Sequence, residues 1–255
     1  MNDIHPAPLL LITGAGRGIG AACALQAARA GWDVALNYHH NAAAVQAVAD
    51  QVRACGRRAI TVLADVADEA AVQAMFGRID DEWGPQRLTG LVNNAGIVAM
   101  KSRFDDMDLA RWRRMLDVNI LGTWLCTREA VRRMSTRHGG QGGAIVNLSS
   151  VAARLGAPNM YVDYAASKGA IDSFTTGLAV ELAAEGVRVN AVRPGIIATD
   201  IHADSGDAHR PQAAAASIPM QRPGTADEVA QAVLWLLSPA ASYCTGAVVD
   251  VTGGR

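Results

Sequence analysis

Aromatic side chains are scarce in this sequence, at 5% of its 255 residues. A surplus of charge is also missing: 23 Lys+Arg face 24 Asp+Glu, for a formal net charge of −1. That balance provides no positive field for phosphate backbones, so it excludes a strongly basic nucleic-acid binder. Charged residues make up 18% and hydrophobic residues 50%, which excludes a disordered chain. Cysteine is limited to Cys23, Cys55, Cys126 and Cys244, with no CxxC pair and no metal-ligand spacing. Four reduced thiols of a cytoplasmic protein are the expectation, with no metal. No basic segment precedes the apolar run Leu9–Ile12, which is far shorter than a signal sequence core. A longer uncharged stretch, Val229 to Val249, is interrupted by Ser238-Pro239 and by Ser242-Tyr243-Cys244-Thr245-Gly246. It reads as a helix, a turn and a short strand, not as a membrane span.

Short apolar runs alternate with Ala-rich helical patterns. The expected strands are Leu9–Thr13, Val34–Tyr38, Ala59–Leu63, Leu88–Asn93, Ala144–Leu148, Val187–Val192 and Ala247–Val251. A helix is expected over Ala42–Ala54, where Val45, Val48, Ala49 and Val52 share one face. This alternation predicts an α/β fold: a doubly wound, seven-stranded parallel sheet with helices on both faces. Continuous apolar strands are what a sheet covered on both faces requires. The chain length suits a single domain over residues 1–255. Gly139-Gly140-Gln141-Gly142-Gly143 reads as a turn. Residues 200–219 form a long connection without a strand pattern, expected to be a substrate lid.

The first strand runs into Gly14-Ala15-Gly16-Arg17-Gly18-Ile19-Gly20 and then an Ala-rich helix. A pyrophosphate held by the backbone N–H groups of a helix N-terminus needs side chains to be absent. A glycine-rich turn between a first strand and a first helix therefore points to a dinucleotide. Further along, Tyr164 and Lys168 lie four apart in a helical segment and share a face. An ammonium near a phenol favours the phenolate, and the tuned phenol can exchange a proton with a carbonyl or alcohol oxygen. Tyr161 lacks this partner, since Ala165 stands four residues on, and reads as a decoy.

The pattern Thr13-Gly14-xxx-Gly18-Ile19-Gly20 resembles the short-chain dehydrogenase/reductase family. So do Asn93-Asn94-Ala95-Gly96, Asn119, Ser149-Ser150, Tyr164-xxx-Lys168 and Pro194-Gly195, which follow in the family's order. The similarity spans Leu9 to Gly254 and implies a Rossmann fold and hydride transfer with a nicotinamide dinucleotide. It implies Asn119, Ser150, Tyr164 and Lys168 as the catalytic residues. Tyr164 would move the proton, Lys168 would hold the ribose, and Ser150 would fix the substrate oxygen. Asn119 would hold a water linking Lys168 to solvent. The Ser150–Tyr164 spacing is one residue longer than the family usually shows. Either Arg154–Tyr161 contains an extra residue, or one of the two serines is placed unusually; Ser150 matches the family position.

The resemblance also implies the cofactor contacts: Gly14, Gly16, Arg17, Gly18, Ile19, Gly20, Tyr38, His39, Asp65, Val66, Asn93, Ala95, Gly96, Tyr164, Lys168, Pro194, Gly195, Ile197 and Thr199. Ile197 and Thr199 would grip the carboxamide, and Asp65 with Val66 would meet the adenine. Asp65 could equally cap the next helix. NAD-specific sites place an acid at the end of the second strand, to accept from the ribose 2′-OH. Here Tyr38 stands in that place, and Asp33 comes too early. Arg17 and a protonated His39 could pair with a 2′-phosphate, so NADP(H) is favoured and NAD(H) remains possible.

The expected activity is therefore NADP(H)-dependent reduction or oxidation of a small carbonyl or alcohol. An NAD-dependent alcohol or sugar dehydrogenase of the same family is the alternative. A non-catalytic nucleotide-sensing regulator would not need Tyr164, Lys168, Ser150 and Asn119 together. The substrate walls are expected near Gly96–Met100, Arg154–Tyr161 and residues 200–219. Neither nucleic acid nor membrane is an expected partner. A homotetramer is expected, with the long uncharged C-terminal stretch and helices Arg111–Met134 and Tyr161–Ala184 as interfaces.

Overall fold

The computed structural model describes residues 7–200, 206–207 and 209–255. Seven strands form one parallel sheet in the order β3-β2-β1-β4-β5-β6-β7. They are β1 (Leu9–Ile12), β2 (Asp33–Tyr38), β3 (Ala59–Leu63), β4 (Leu88–Asn93), β5 (Gly143–Leu148), β6 (Val187–Pro194) and β7 (Val248–Val251). All seven lie where the apolar runs predict them, with ends moved by one or two residues. The helices are α1 (Gly18–Arg29), α2 (Ala42–Ala54), α3 (Glu69–Trp83), α4 (Leu109–Leu116), α5 (Gly122–Met134), α6 (Ala152–Leu155), α7 (Val162–Leu182), α8 (Arg210–Ala213) and α9 (Ala226–Leu237). The uncharged stretch near the C-terminus is α9, a 3-10 turn at Pro239–Ala241, and β7.

Side chains alternate across a strand, so each face of β1 serves a different core. Leu10 and Ile12 pack with Val34, Leu36 and Val146 against α1, α2 and α9. Leu9 and Leu11 pack with Leu91 and Ile145 against α3, α5 and α7. Full burial of each such leucine contributes about 1.5–3 kcal/mol. Asp33 is buried at the start of β2 and bound by Arg57, with Nη2–Oδ1 at 2.7 Å. Its carboxylate is committed there, far from the strand end at which a ribose would lie.

The strand order reverses between β1 and β4, where a parallel sheet opens a crevice beyond its strand ends. The expected helix Arg111–Met134 is instead two helices, α4 and α5, joined by a π-helical turn over Asp117–Leu121. Of the expected lid, residues 201–205 and 208 lie outside the described residues. The remainder contains α8 and a 3-10 turn at Ala215–Ser217, and no strand among the described residues.

Candidate active site

The glycine turn follows β1 at the crevice. Gly14 (φ +63°) and Gly18 (φ +53°) occupy the left-handed region that side chains disfavour. Two asparagines hold the turn in place. Asn37 Oδ1 accepts from the Gly14 N–H at 3.2 Å, while its amide donates to the Val62 and Ala64 carbonyls. Asn94 Nδ2 donates to the carbonyls of Thr13 and Gly14, both at 2.9 Å. Gly20 serves packing, because a Cβ there would come within 2.5 Å of the Gly14 oxygen. It does not line the cleft.

A cleft of about 500 Å³ runs from this turn across the ends of the strands. Gly14, Gly16, Arg17, Gly18, Ile19, Tyr38, His39, Asp65, Val66, Ala95, Gly96 and Thr199 line it. It also takes in Asn94 and Arg114, which sequence reasoning missed. Arg114, on α4, pairs with Asp65 at 3.1 Å, and His39 lies 3.8 Å from the same carboxylate. Burial pushes the Asp65 carboxyl up, but the Ala67 N–H, Arg114 and His39 outweigh it and hold the group below its usual value. Asp65 caps no helix; Asp68 caps α3.

The Asn93 side chain is turned away from the cleft. It points into the sheet and donates to Thr127 Oγ1 and Asn147 Oδ1, both at 2.8 Å. Strand alternation turns residue 93 inward and leaves Asn94 at the mouth.

A second cavity, of about 360 Å³, adjoins the first through Ile19, Asn94, Gly96 and Thr199. Ser150, Tyr164, Lys168, Pro194, Gly195 and Ile197 line it. Lys168 Nζ stands 5.7 Å from the centre of the Tyr164 ring, so the two share a face of α7 as their spacing requires. The Ser150 hydroxyl lies beside the Tyr164 phenol and acts to lower its pKa. Ser149 points away and donates to the Lys168 carbonyl at 3.2 Å. Of the two serines, Ser150 is therefore the one at the phenol. Between Ser150 and Tyr164, in the loop after α6, Gly156, Ala157 and Asn159 all have positive φ.

Lys168 is 5% exposed, and its Nζ donates to the Leu148 carbonyl at 2.7 Å. Burial pulls its pKa from 10.5 down to about 8, with Asp172 opposing. The Tyr164 phenol differs from expectation. Burial raises it above its ordinary value, and the Ser150 hydroxyl and the Arg210 charge offset this only in part. The Lys168 ammonium faces the ring and spends one donor on the Leu148 carbonyl.

Asn119 sits in the π-helical turn, fully buried. Its Oδ1 accepts from Ile97 N at 2.8 Å, and its Nδ2 donates to the Ile97 carbonyl at 3.0 Å and to Ser167 Oγ at 3.1 Å. The side chain thus ties the loop after β4 to α7. Tyr161 is no bystander: it lines the same cavity, and its hydroxyl accepts from Arg210 at 2.9 Å.

The residues present fit a dinucleotide. α1 begins at the glycine turn with no side-chain cap and no acid in its first turn. Its first N–H groups point to a place where an anion would complete them. Lys168 has three donors, of which one is used by Leu148.

A family model described as "Enoyl-(Acyl carrier protein) reductase" matches residues 14–255. The "Uncharacterized oxidoreductase YgfF" of Escherichia coli (strain K12) is 51% identical, over 97% of this chain and 99% of that protein. The chain belongs to the short-chain dehydrogenase/reductase family. "Glucose 1-dehydrogenase 2" of Bacillus subtilis (strain 168) is 35% identical, over 96% of this chain and 93% of that protein. Among solved structures, a short-chain dehydrogenase from Burkholderia cenocepacia J2315 in complex with NADP has a TM-score of 0.86 at 37% identity, covering 96% of each chain. A 3-ketoacyl-(acyl-carrier-protein) reductase from Brucella melitensis complexed with NADH has a TM-score of 0.88 at 33% identity, covering 97% of each chain. As a short-chain dehydrogenase/reductase, this chain is an NAD(P)-dependent oxidoreductase acting on CH–OH and C=O groups. No helix among the described residues is long and apolar enough to cross a membrane.

Proposed function

We propose that this enzyme interconverts a small carbonyl compound and its alcohol, with Tyr164 as general acid/base and NADP(H) as preferred cofactor. The observation that carries this reading is the meeting of Tyr164, Ser150 and Lys168 in a cavity continuous with the glycine-turn cleft. When bound, the dinucleotide supplies or accepts the hydride. Ser150 donates to the substrate oxygen and holds it beside the Tyr164 hydroxyl. Tyr164 gives that oxygen its proton in reduction and takes it back in oxidation. Lys168 turns its remaining donors to the ribose hydroxyls. Asn119 keeps α7 and the Gly96 loop in register, and a water beside Lys168 reconnects the phenol to solvent. The raised phenol suits reduction, since it keeps the proton on until an oxygen arrives to take it.

The cofactor preference rests on Tyr38 standing where an acid would accept from the ribose 2′-OH, with Arg17, His39 and Arg114 around the cleft. Asp65 is paired to Arg114 and so is a weak repellent for a 2′-phosphate. NAD(H) is the second cofactor to be assayed. The chain would work as one domain, with residues 200–219 closing over the substrate, in the cytoplasm and as a homotetramer. Leu121 and Trp124 beside α5 and Val180 on α7 are exposed apolar groups consistent with those helices as interfaces. Light scattering that finds a single monomeric species of 26.7 kDa would reject the tetramer.

The test is oxidation of NADPH and NADH over a panel of ketones, comparing the wild type with Tyr164→Phe. Turnover lost in the variant, with dinucleotide still bound, is the expected result. Turnover retained in the variant would overturn the assignment, and dinucleotide binding without turnover in either protein would favour a sensing role.

A further inference from the structure

The guanidinium that begins α8 is aimed into the substrate cavity. Arg210 Nη1 donates to the Tyr161 hydroxyl at 2.9 Å, and its Cζ lies 5.1 Å from the centre of the Tyr161 ring. Tyr161 is itself 5% exposed, so ring and hydroxyl together fix the arginine from one side. A guanidinium carries five donors in a planar fork. Other arginines around this region are matched by acids: Arg111 by Asp163, Arg193 by Asp172, Arg154 by Asp250 and Arg222 by Glu228. Among the described residues Arg210 has no acidic partner. The cavity's ionisable lining side chains are Tyr161, Tyr164, Lys168, Arg210 and Arg255, and among the described residues no aspartate or glutamate side chain lines it. Most of the remaining wall is apolar, including Val98, Val151, Leu155, Pro158 and Met160.

We propose that Arg210 is a specificity-determining residue, and that the substrates are carbonyl compounds or alcohols carrying a carboxylate on a short apolar skeleton. This rests on the reading of the cavity as the substrate site. The geometry sets the reach of such a molecule. Tyr161 is the N-cap residue of α7, and it, Tyr164 and Arg210 line one cavity in which the Arg210 charge acts on the Tyr164 phenol, so the arginine and the proton-transferring phenol are neighbours. A compact oxo acid can place its carboxylate on the guanidinium fork and its carbonyl oxygen between Tyr164 and Ser150. The fork matches a carboxylate in two parallel hydrogen bonds. The substrate carboxylate also offsets the cationic side chains Lys168, Arg210 and Arg255 that line the cavity.

The experiment compares 4-oxopentanoate, 5-oxohexanoate and 6-oxoheptanoate, each beside its methyl ester. It measures kcat/KM in the wild type, Arg210→Met, Arg210→Lys and Tyr161→Phe. In the wild type at least one acid should exceed its ester by about tenfold or more, as expected for a charge-assisted pair. Arg210→Met should bring that ratio to about one. Arg210→Lys, which keeps the charge but loses the fork, and Tyr161→Phe, which loosens the anchor, should fall between. No acid preferred over its ester, or a ratio unchanged in Arg210→Met, would overturn the proposal. So would an equal loss on acid and ester, which would mean that the arginine acts on the Tyr164 proton alone. A loss found in the dissociation constant for NADP(H) would assign Arg210 to the cofactor phosphates instead. If the wild type reduces no ketone, the proposed reaction fails, and calorimetry then judges Arg210 separately. Hexanoate should bind the NADP⁺-saturated protein more tightly than hexanamide, and Arg210→Met should abolish the difference. Equal binding of the two would overturn the inference.

Discussion

Replacing Lys168 by methionine tests the electrostatics of the site without any substrate. The ammonium is 5% exposed, hydrogen-bonded to the Leu148 carbonyl, and pulled from 10.5 to about 8 by burial. One pKa unit is about 1.4 kcal/mol, so keeping the lysine charged in the fold costs about 3 kcal/mol. The sign follows from proton counting. Between the folded and unfolded pKa values the unfolded chain binds more protons, so stability rises with pH across that window. Below about 8 the cost is present in full, and by 10.5 it has vanished. Methionine keeps the apolar stem but removes the donor to Leu148, a loss of about 1–3 kcal/mol at all pH values. The variant should therefore match or slightly exceed the wild type in stability at neutral pH and fall below it by up to about 2 kcal/mol near pH 10. Tyr164, raised above 10.0, pulls stability down at still higher pH, but it is present in both proteins and cancels in the difference. Urea unfolding of the protein without dinucleotide, at fixed protein concentration and several pH values, measures that difference. A stability gap that stays constant from neutral pH to pH 10 would refute the reasoning.

Asn93→Ala and Asn94→Ala should separate fold from binding. The first strands Thr127 and Asn147 without their donor and should cost about 1–3 kcal/mol in urea unfolding, with dinucleotide affinity little changed. The second frees the glycine turn and should weaken dinucleotide binding by about tenfold, measured by fluorescence titration. Tyr38→Asp should move the kcat/KM ratio towards NADH by about tenfold or more, by supplying a 2′-OH acceptor and repelling a 2′-phosphate. Cys23 and Cys126 are buried, with thiols pushed up to about 12, so iodoacetamide at neutral pH should label the exposed Cys55 and spare both, as read by mass spectrometry.

The strands and the α2 boundaries were legible because period and breakers act locally. Leu9–Ile12 and Ala42–Ala54 announce themselves by apolar runs and by spacing. The joint placement of Tyr164 and Lys168 was legible for the same reason, since a four-residue spacing on a helix fixes a shared face. What escaped depends on depth and on distant segments. The pKa direction of Tyr164 is set by burial, which no local pattern reveals. Asn93 and Asn94 are adjacent and chemically identical, and only the phase of β4 decides which one faces the cleft. The period-two rule could have flagged that choice, because it puts Asn93 on the Leu91 side of β4, the side that α5 covers. Arg114 and Arg210 reach their sites from α4 and α8, and their partners Asp65 and Tyr161 lie 49 residues away in each case. Arg111–Met134 has helical periodicity throughout, and a single π-helical turn within it leaves little trace in composition.

That irregular turn has a mechanical meaning. One added residue in a helical rod shifts the azimuth of everything beyond it by about 100°. Upstream of Asp117–Leu121 the rod presents Arg111 to Asp163 and Arg114 to Asp65; downstream it presents Thr127 to Asn93. A regular rod could not aim both ends correctly at once. The bulge works as a phase coupling, and excising any one of its residues would misalign the two halves even though every remaining side chain was untouched.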